Sequence, residues 1–162
     1  MIRGRSCWNA MQQRGMSERV VGGASAYTFD SLPETLFDGL AATAGRVPEA
    51  CALVDDDARR YTFAELHRLA GSMASYLQGA HGVGEGDRVG ILLEASVEFC
   101  TAYFACSMIG AVAVPLSTKF REPEIASLVE RASLNVLLID ERFGAWAECL
   151  SSACPAVLVC NR

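Results

Sequence analysis

Three glycines, Gly82, Gly84 and Gly86, are the first candidate for nucleotide chemistry in this sequence. A dinucleotide-binding loop needs G-x-G-x-x-G after a strand and at the start of a helix, so that helix amides can hold a pyrophosphate. Here the spacing is G-x-G-x-G, and the predicted order is helix, turn, strand. Because glycine commonly ends helices, we interpret this segment as a turn that leads from a helix into a strand.

Three successive carboxylates, Asp55, Asp56 and Asp57, are a candidate magnesium site. They follow a short predicted strand, as the acidic pocket of a phosphorelay receiver domain does, and paired carboxylates chelate that cation. A receiver also needs a later phosphoacceptor aspartate followed by a lysine, whereas here Lys119 precedes Asp140. The residue order therefore argues against a receiver or flavodoxin-like domain and favours a solvated hairpin turn.

Seven cysteines suggest a metal or disulfide framework until their spacing is considered. No C-x-x-C pair occurs, and neither His67 nor His81 lies near a cysteine, whereas zinc sites need thiolates or imidazoles at short spacing. We predict no metal ligands, and small buried thiols in a protein of the reducing cytoplasm. The cysteines are Cys7, Cys51, Cys100, Cys106, Cys149, Cys154 and Cys160.

Two further catalytic signatures are missing from the sequence. There is no G-x-S-x-G motif to present an activated serine, and no G-x-x-x-x-G-K-[ST] loop to cradle nucleotide phosphates. We therefore expect no complete active site within these residues.

The composition is that of a soluble globular domain with an acidic body. Of the 162 residues 51% are hydrophobic and 20% are charged, and the net charge is −5. Residues 1–29 hold four arginines and one acid, so the rest carries −8, which argues against nucleic acid as a partner. This basic leader lacks the apolar core of a signal peptide and is expected to be disordered. The apolar run Phe99–Leu116 is broken by Gly110 and Pro115, so no membrane span is predicted.

Hydrophobic periodicity predicts alternating helices and strands over residues 30–162. Ser96 caps an apolar helix between strands 88–93 and 111–116, which makes one right-handed crossover unit of a parallel sheet. That helix is apolar on most sides, so we expect it to lie between layers. The predicted fold is α/β, with a mainly parallel sheet flanked by helices. Further strands are predicted at 51–54, 60–61, 136–139 and 156–159, and further helices at 32–44 and 123–131.

The starts of two helices are predicted from capping residues. Asp30 or Ser31 would cap the helix over 32–44, whose first turn holds Pro33 and Glu34. Thr62 caps the next helix and has Glu65 three residues on, which is a capping box. The buried stripe of that second helix is predicted to be Leu66, Leu69, Met73, Tyr76 and Leu77.

Four segments together resemble a known family. They are YTFAEL at Tyr61–Leu66, GDRVGI at Gly86–Ile91, MIGAVAVPL at Met108–Leu116 and LVERASLNVLLI at Leu128–Ile139. In order and spacing they resemble the TYxEL, GDRVAI and LGAVxVPL motifs, and the segment after them, of the adenylate-forming (AMP-binding) superfamily. This superfamily comprises acyl-CoA synthetases, peptide-synthetase adenylation domains and luciferases. The resemblance extends from about Leu32 to Val159.

The resemblance implies an enzyme of several hundred residues that makes an acyl-adenylate from a carboxylic acid and ATP with magnesium. Such an enzyme then passes the acyl group to a thiol such as coenzyme A. The family's phosphate loop, substrate pockets and catalytic lysine lie downstream of these motifs. Residues 30–162 would thus be the N-terminal part of such a domain, truncated before the phosphate loop and without a cofactor of its own. In some CoA-forming members a basic residue soon after the VPL strand approaches the CoA phosphate, which implies that role for Lys119, with Arg121 close by.

Two functions are therefore expected from the sequence. The first is an N-terminal fragment of a cytoplasmic acyl-CoA synthetase of fatty acid metabolism, inactive alone, with the rest of the synthetase as its partner. The alternative is a non-catalytic binding or scaffolding module that retains the synthetase subdomain. A fragment should expose apolar patches and unpaired strand edges, whereas a module should fold cooperatively without them.

Overall fold

The computed structural model describes residues 16–29, 32–55 and 58–160, which fall into two units, residues 1–34 and 35–162. The first unit holds strands β1 (Met16–Val21) and β2 (Ala24–Phe29). The second contains, in chain order, α1 (Leu36–Arg46), β3 (Cys51–Val54), β4 (Arg60–Thr62), α2 (Phe63–His81), β5 (Arg88–Leu92), α3 (Val97–Ile109), β6 (Val112–Pro115), α4 (Glu122–Ala132), β7 (Val136–Asp140), a 3₁₀ helix (Glu141–Trp146), α5 (Ala147–Leu150) and β8 (Val157–Cys160). Within the described ranges, no helix combines the length and apolarity that crossing a membrane requires.

The first unit is an antiparallel hairpin, in which β1 pairs with β2 from Met16 opposite Phe29 to Val21 opposite Ala24. Gly22 and Gly23 connect the strands with φ angles of 60° and 85°. A two-residue hairpin turn needs positive φ at its central residues, which glycine adopts without strain. The expectation of a disordered leader is therefore wrong for residues 16–29, while residues 1–15 lie outside the described part of the chain.

The second unit is built on a four-stranded sheet in the order β6–β5–β7–β8. All three neighbouring pairs are parallel, with Val89 of β5 opposite Ala113 of β6 and Val136 of β7. The predicted α/β fold with a mainly parallel sheet is thus confirmed. The hairpin formed by β3 and β4 is also as predicted, and it forms a separate two-stranded sheet.

Helices cover both faces of the parallel sheet, and β7 illustrates why. All five of its residues are buried, because alternate side chains enter two different cores. Val136 and Leu138 pack in the core that includes residues of α2 and α3. Leu137 and Ile139 pack in the core that includes residues of α4, the 3₁₀ helix and α5.

The start of α1 differs from the prediction. Thr35 is the N-cap, and its hydroxyl accepts a hydrogen bond from the Asp38 amide at 3.1 Å while the Asp38 carboxylate accepts one from the Thr35 amide at 2.9 Å. This reciprocal pair defines the helix start more strongly than Pro33 and Glu34 do, so the helix begins four residues after Leu32. The capping box of α2, Thr62 with Glu65, is confirmed.

Two burial predictions need correction. In α2, Tyr76 is 51% exposed, and the buried stripe is Leu66, Ala70, Ala74 and Leu77, since small alanines allow the close approach of α3. The second correction concerns α3, which was expected to lie between layers. Its buried residues are Val97, Thr101, Ala102, Ala105, Cys106 and Ile109. The outer side of α3 is open to solvent, and Met108 on that side is 47% exposed.

Candidate functional site

The four parallel strands end at one edge of the sheet, which we call the carboxyl edge. Here the chain leaves β5 toward α3 on one face, and it leaves the neighbouring strand β7 toward the 3₁₀ helix on the other face. Ligands of open α/β sheets bind outside the carboxyl ends of the strands, where neighbouring connections diverge in this way. The carboxyl edge is therefore the candidate functional site.

Arg142 connects three loops at the carboxyl edge. Its guanidinium forms an ion pair with Glu94, which follows β5. The same group donates a hydrogen bond of 3.4 Å to the carbonyl of Thr118, in the loop that follows β6. Its carbon Cζ also lies 4.4 Å from the centre of the Phe143 ring, a cation–π distance. The loops after β5, β6 and β7 are thus joined through one side chain.

Asp140, the last residue of β7, is a buried carboxylate at the base of this arrangement. Its Oδ1 accepts a hydrogen bond of 3.3 Å from the Arg142 amide. Cys160 lies opposite Asp140 at the end of β8. Burial raises the pKa of the Cys160 thiol, and the carboxylates of Glu98 and Asp140 raise it further. A protonated thiol is a weak nucleophile and a weak metal ligand, so this geometry does not activate Cys160.

The structure places the predicted site residues Lys119 and Arg121 in the loop between β6 and α4, at the carboxyl edge. Both are exposed. The Lys119 amide donates to the Ser117 hydroxyl at 3.4 Å, and the Arg121 amide donates to the Glu124 carboxylate at 2.8 Å. These bonds use backbone amides, so they order the loop and leave both cationic side chains on its surface.

The candidate magnesium site after β3 is not assembled at the carboxyl edge. Asp55 follows a strand of the separate β3–β4 sheet, and Asp56 and Asp57 lie outside the described residues. The Asp55 carboxylate accepts bonds from the Arg59 amide at 2.8 Å, from Arg59 Nε at 3.1 Å and from the Tyr61 hydroxyl at 3.3 Å. Burial and the Asp55 carboxylate raise the pKa of Tyr61, while Arg59 opposes the shift. Asp55 therefore closes a hairpin, as the turn interpretation predicts.

The glycine-rich segment is a turn, as predicted. Gly82 ends α2 in the left-handed conformation, with φ of 65°, and its amide donates to the Gln78 carbonyl at 3.0 Å. The Gly84 amide donates to the Asp87 carboxylate at 2.9 Å. These contacts fix the entry into β5, whose amino end is opposite the carboxyl edge.

The six cysteines in the described part of the chain differ in burial, and Cys100 and Cys160 are partly buried. Cys106 and Cys154 are buried, as expected, and burial raises the pKa of Cys106 to about 11. Cys51 and Cys149 are exposed, which contradicts the expectation of burial; Cys51 lies in a two-stranded sheet and Cys149 in a single helical turn. Among the residues described by the structure, no three histidine, cysteine or acidic side chains are grouped to hold a metal ion.

The Glu94–Arg142 ion pair was missed from the sequence, because its members are 48 positions apart and carry no motif. A weak signal was available, since each residue follows a buried strand of the parallel sheet within two positions. Parallel topology brings such residues to the same edge. Which of them form a pair depends on strand order, which the sequence alone did not predict.

Comparisons with known proteins agree with the four sequence motifs. A family model described as AMP-binding enzyme matches residues 40–159. The long-chain-fatty-acid–CoA ligase FadD13 of Mycobacterium tuberculosis strain H37Rv is 37% identical over 79 residues, which are 49% of this chain and 16% of that protein. The medium-chain fatty-acid–CoA ligase of Escherichia coli strain K12 is 33% identical over 101 residues, 62% of this chain and 18% of that protein. The aligned part thus spans less than a fifth of the length of these relatives.

A solved structure shows the same fold. The inhibitor-bound N-terminal domain of FACL13 from Mycobacterium tuberculosis superimposes with a TM-score of 0.72 at 25% identity, covering 78% of this chain and 33% of that chain. The matched residues 40–159 include the whole parallel sheet apart from Cys160. Because the family model matches well over half of its residues, this chain belongs to the family of AMP-binding enzymes.

Proposed function

We propose that this chain is the N-terminal part of an ATP-dependent acyl-CoA ligase of fatty acid metabolism and that it has no turnover alone. The observation that carries the proposal is the extent of the family match. The match takes in the parallel sheet and its flanking helices, yet the aligned part is 16–18% of the length of the two fatty-acid–CoA ligases. The scaffold is thus matched, while most of the length of those enzymes has no counterpart in these residues.

The residues of this chain do not fit ATP and magnesium. The sequence has no phosphate-binding loop, and no group of possible metal ligands occurs among the residues that the structure describes. The predicted site cations at the carboxyl edge, Lys119 and Arg121, are exposed to water, where they would stabilise little of the charge that develops on a transferring phosphate. We propose that the remainder of the ligase, the partner of this chain, supplies those groups in the cytoplasm.

Coenzyme A fits the carboxyl edge better. Lys119 and Arg121 present two exposed cations on one short loop, and phosphate oxygens form charge-assisted hydrogen bonds with such groups. We propose that both side chains contact the phosphate end of CoA in the assembled enzyme. Glu122 and Glu124 directly follow these two cations, so any attraction for an anion is confined to the Lys119 and Arg121 side chains themselves.

Two measurements test the proposal. ATP–pyrophosphate exchange with a panel of carboxylic acids should give no signal with this chain, and exchange above background would contradict the fragment assignment. In an NMR titration, CoA should shift the amides of residues 117–121, and CoA without its 3′-phosphate should shift them less. Lys119→Gln should weaken binding roughly fivefold, since it removes one charged hydrogen bond. Arg131→Gln, which removes another exposed cation, at the end of α4, is the matched control.

The alternative function, a non-catalytic binding or scaffolding module, is favoured by one observation. Both faces of the parallel sheet are covered by cores formed from this chain's own side chains. Such a module should unfold in one cooperative transition and bind little dye for exposed apolar surface. Strong dye binding before unfolding would instead support the fragment assignment, because the assembled enzyme would cover that surface.

A further inference from the structure

We infer that Arg142, held by Glu94, is a positioning residue for the loop that presents Lys119 and Arg121. The positioning itself follows from the structure. Its consequence for CoA binding rests on the proposed function, and separate measurements of proteolysis and of CoA binding distinguish the two claims.

Arg142 is itself held in place from several sides. Its amide donates a hydrogen bond to the buried carboxylate of Asp140, the last residue of the central strand β7. Its side chain lies over the ring of Phe143, which is buried in the core on that face of the sheet. A guanidinium with a fixed backbone and a fixed stacking partner loses little conformational freedom when it forms further hydrogen bonds.

The loop that Arg142 reaches is attached to the fold at its two ends. At one end the Leu116 amide donates to the carbonyl of Ile91 at 2.9 Å, and at the other the Arg121 amide is bonded to Glu124. Between these ends lie residues 117–120, Ser-Thr-Lys-Phe, and the hydrogen bonds from the Lys119 and Phe120 amides back to Ser117 are local. The bond from Arg142 to the Thr118 carbonyl joins this segment to a residue 24 positions away. It therefore restrains the loop one residue before Lys119.

Glu94 determines where the guanidinium points. The side chains of Glu94 and Arg142 are 37% and 46% exposed, so their ion pair is only partly shielded from water. The Glu94 carboxylate neutralises the charge of Arg142. We therefore expect Arg142 to orient the loop, and Lys119 and Arg121 on the loop to be the cations that face a ligand. Removing the Glu94 charge should free the guanidinium and release Thr118.

Trypsin gives a local readout, because it cleaves after lysine and arginine. In Glu94→Gln all cleavage sites are unchanged, and cleavage after Lys119 and Arg121 should become roughly threefold to tenfold faster, the range expected for losing a partly exposed charged contact. Cleavage after Arg68, inside α2, reports global unfolding and should not change. Glu130→Gln removes another exposed carboxylate and is the matched control. Arg142→Lys, which keeps the charge but not the planar fork, should give an intermediate rate.

Faster cleavage at the loop with unchanged cleavage after Arg68 supports the positioning role. Equal loop cleavage in the parent chain, Glu94→Gln and Arg142→Lys overturns it. If Glu94→Gln unfolds, as seen by circular dichroism, Arg142→Lys decides between these results. CoA titration then tests the other half. Weaker binding by Glu94→Gln supports the consequence for CoA, and equal binding overturns it. A parent chain that binds no CoA contradicts the proposed CoA contact and leaves the loop restraint standing.

Discussion

Gly90, in the middle of β5, provides a test in which two lines of reasoning predict opposite signs. The family motif that resembles Gly86–Ile91 has alanine at this position, so replacing Gly90 by alanine restores the common pattern. Such substitutions often stabilise proteins. Alanine also loses less backbone entropy than glycine in a strand, which favours it by about 0.5–1 kcal/mol.

The packing around Gly90 predicts destabilisation instead. A Cβ atom built at this position would lie 2.4 Å from Cδ1 of Leu134 and 2.7 Å from Cδ1 of Leu137. Both leucines are buried in the core below α4, so both must change position together. Overpacking of this kind costs about 1–3 kcal/mol, which exceeds the entropic gain. We expect Gly90→Ala to lower the free energy of unfolding by roughly 1–2 kcal/mol.

Urea denaturation followed by circular dichroism measures this difference. Gly71→Ala is the matched control, because Gly71 lies inside α2 with no atom within 4 Å of its would-be Cβ. That substitution should stabilise the chain by about 0.5–1 kcal/mol. A Gly90→Ala variant that is as stable as the parent chain, or more stable, would refute the packing argument and favour the family pattern.

Four further predictions concern individual residues. Thr62→Ala removes the cap of α2 and should cost about 1 kcal/mol in urea denaturation. Hydrogen bonds from Thr62 lower the pKa of Glu65 in the folded chain. The ionised carboxylate therefore stabilises the fold at a pH above its usual pKa, and this contribution is lost as the pH falls through the lowered pKa. Glu65→Gln should reduce the loss of stability at acid pH. Under native conditions a thiol reagent should modify the exposed Cys51 quickly and the buried Cys106 only on unfolding, as mass spectrometry would show. Met108→Gln should reduce binding of a dye for apolar surface without lowering the melting temperature, because Met108 is largely solvent-exposed.

Local signals explain which parts of the fold were predictable. Thr62 and Glu65 are three residues apart, and every contact that defines their capping box lies within that span. The two central strands of the parallel sheet were found because residues 89–92 of β5 and 136–139 of β7 are buried on both faces and form continuous runs without a charged residue. The hairpin at residues 16–29 had an equally local signal in Gly22-Gly23, but the basic composition of the leader outweighed it.

The features that were not predicted depend on contacts between residues that are far apart in the sequence. Tyr76 has the spacing of a buried helix residue, yet α3 approaches α2 along Ala70 and Ala74, which leaves the tyrosine ring outside. Arg142 had only a weak signal in the sequence, because its partners Glu94 and Thr118 become neighbours only when β5 lies between β6 and β7. Lys119 and Arg121 were located by resemblance alone, and the structure adds the loop that presents them.

The exposed side of α3 also bears on the proposed function. A helix that is apolar all round is normally enclosed, and α3 has that composition from Val97 to Ile109. The sheet, α2 and α1 cover part of its surface, while Tyr103 and Met108 remain exposed. Solvent exposure on that side gives the chain no evident advantage. If α3 packs against further polypeptide in an assembled ligase, its composition and its present exposure have a single explanation, whereas a self-sufficient module leaves the exposed side of α3 unexplained.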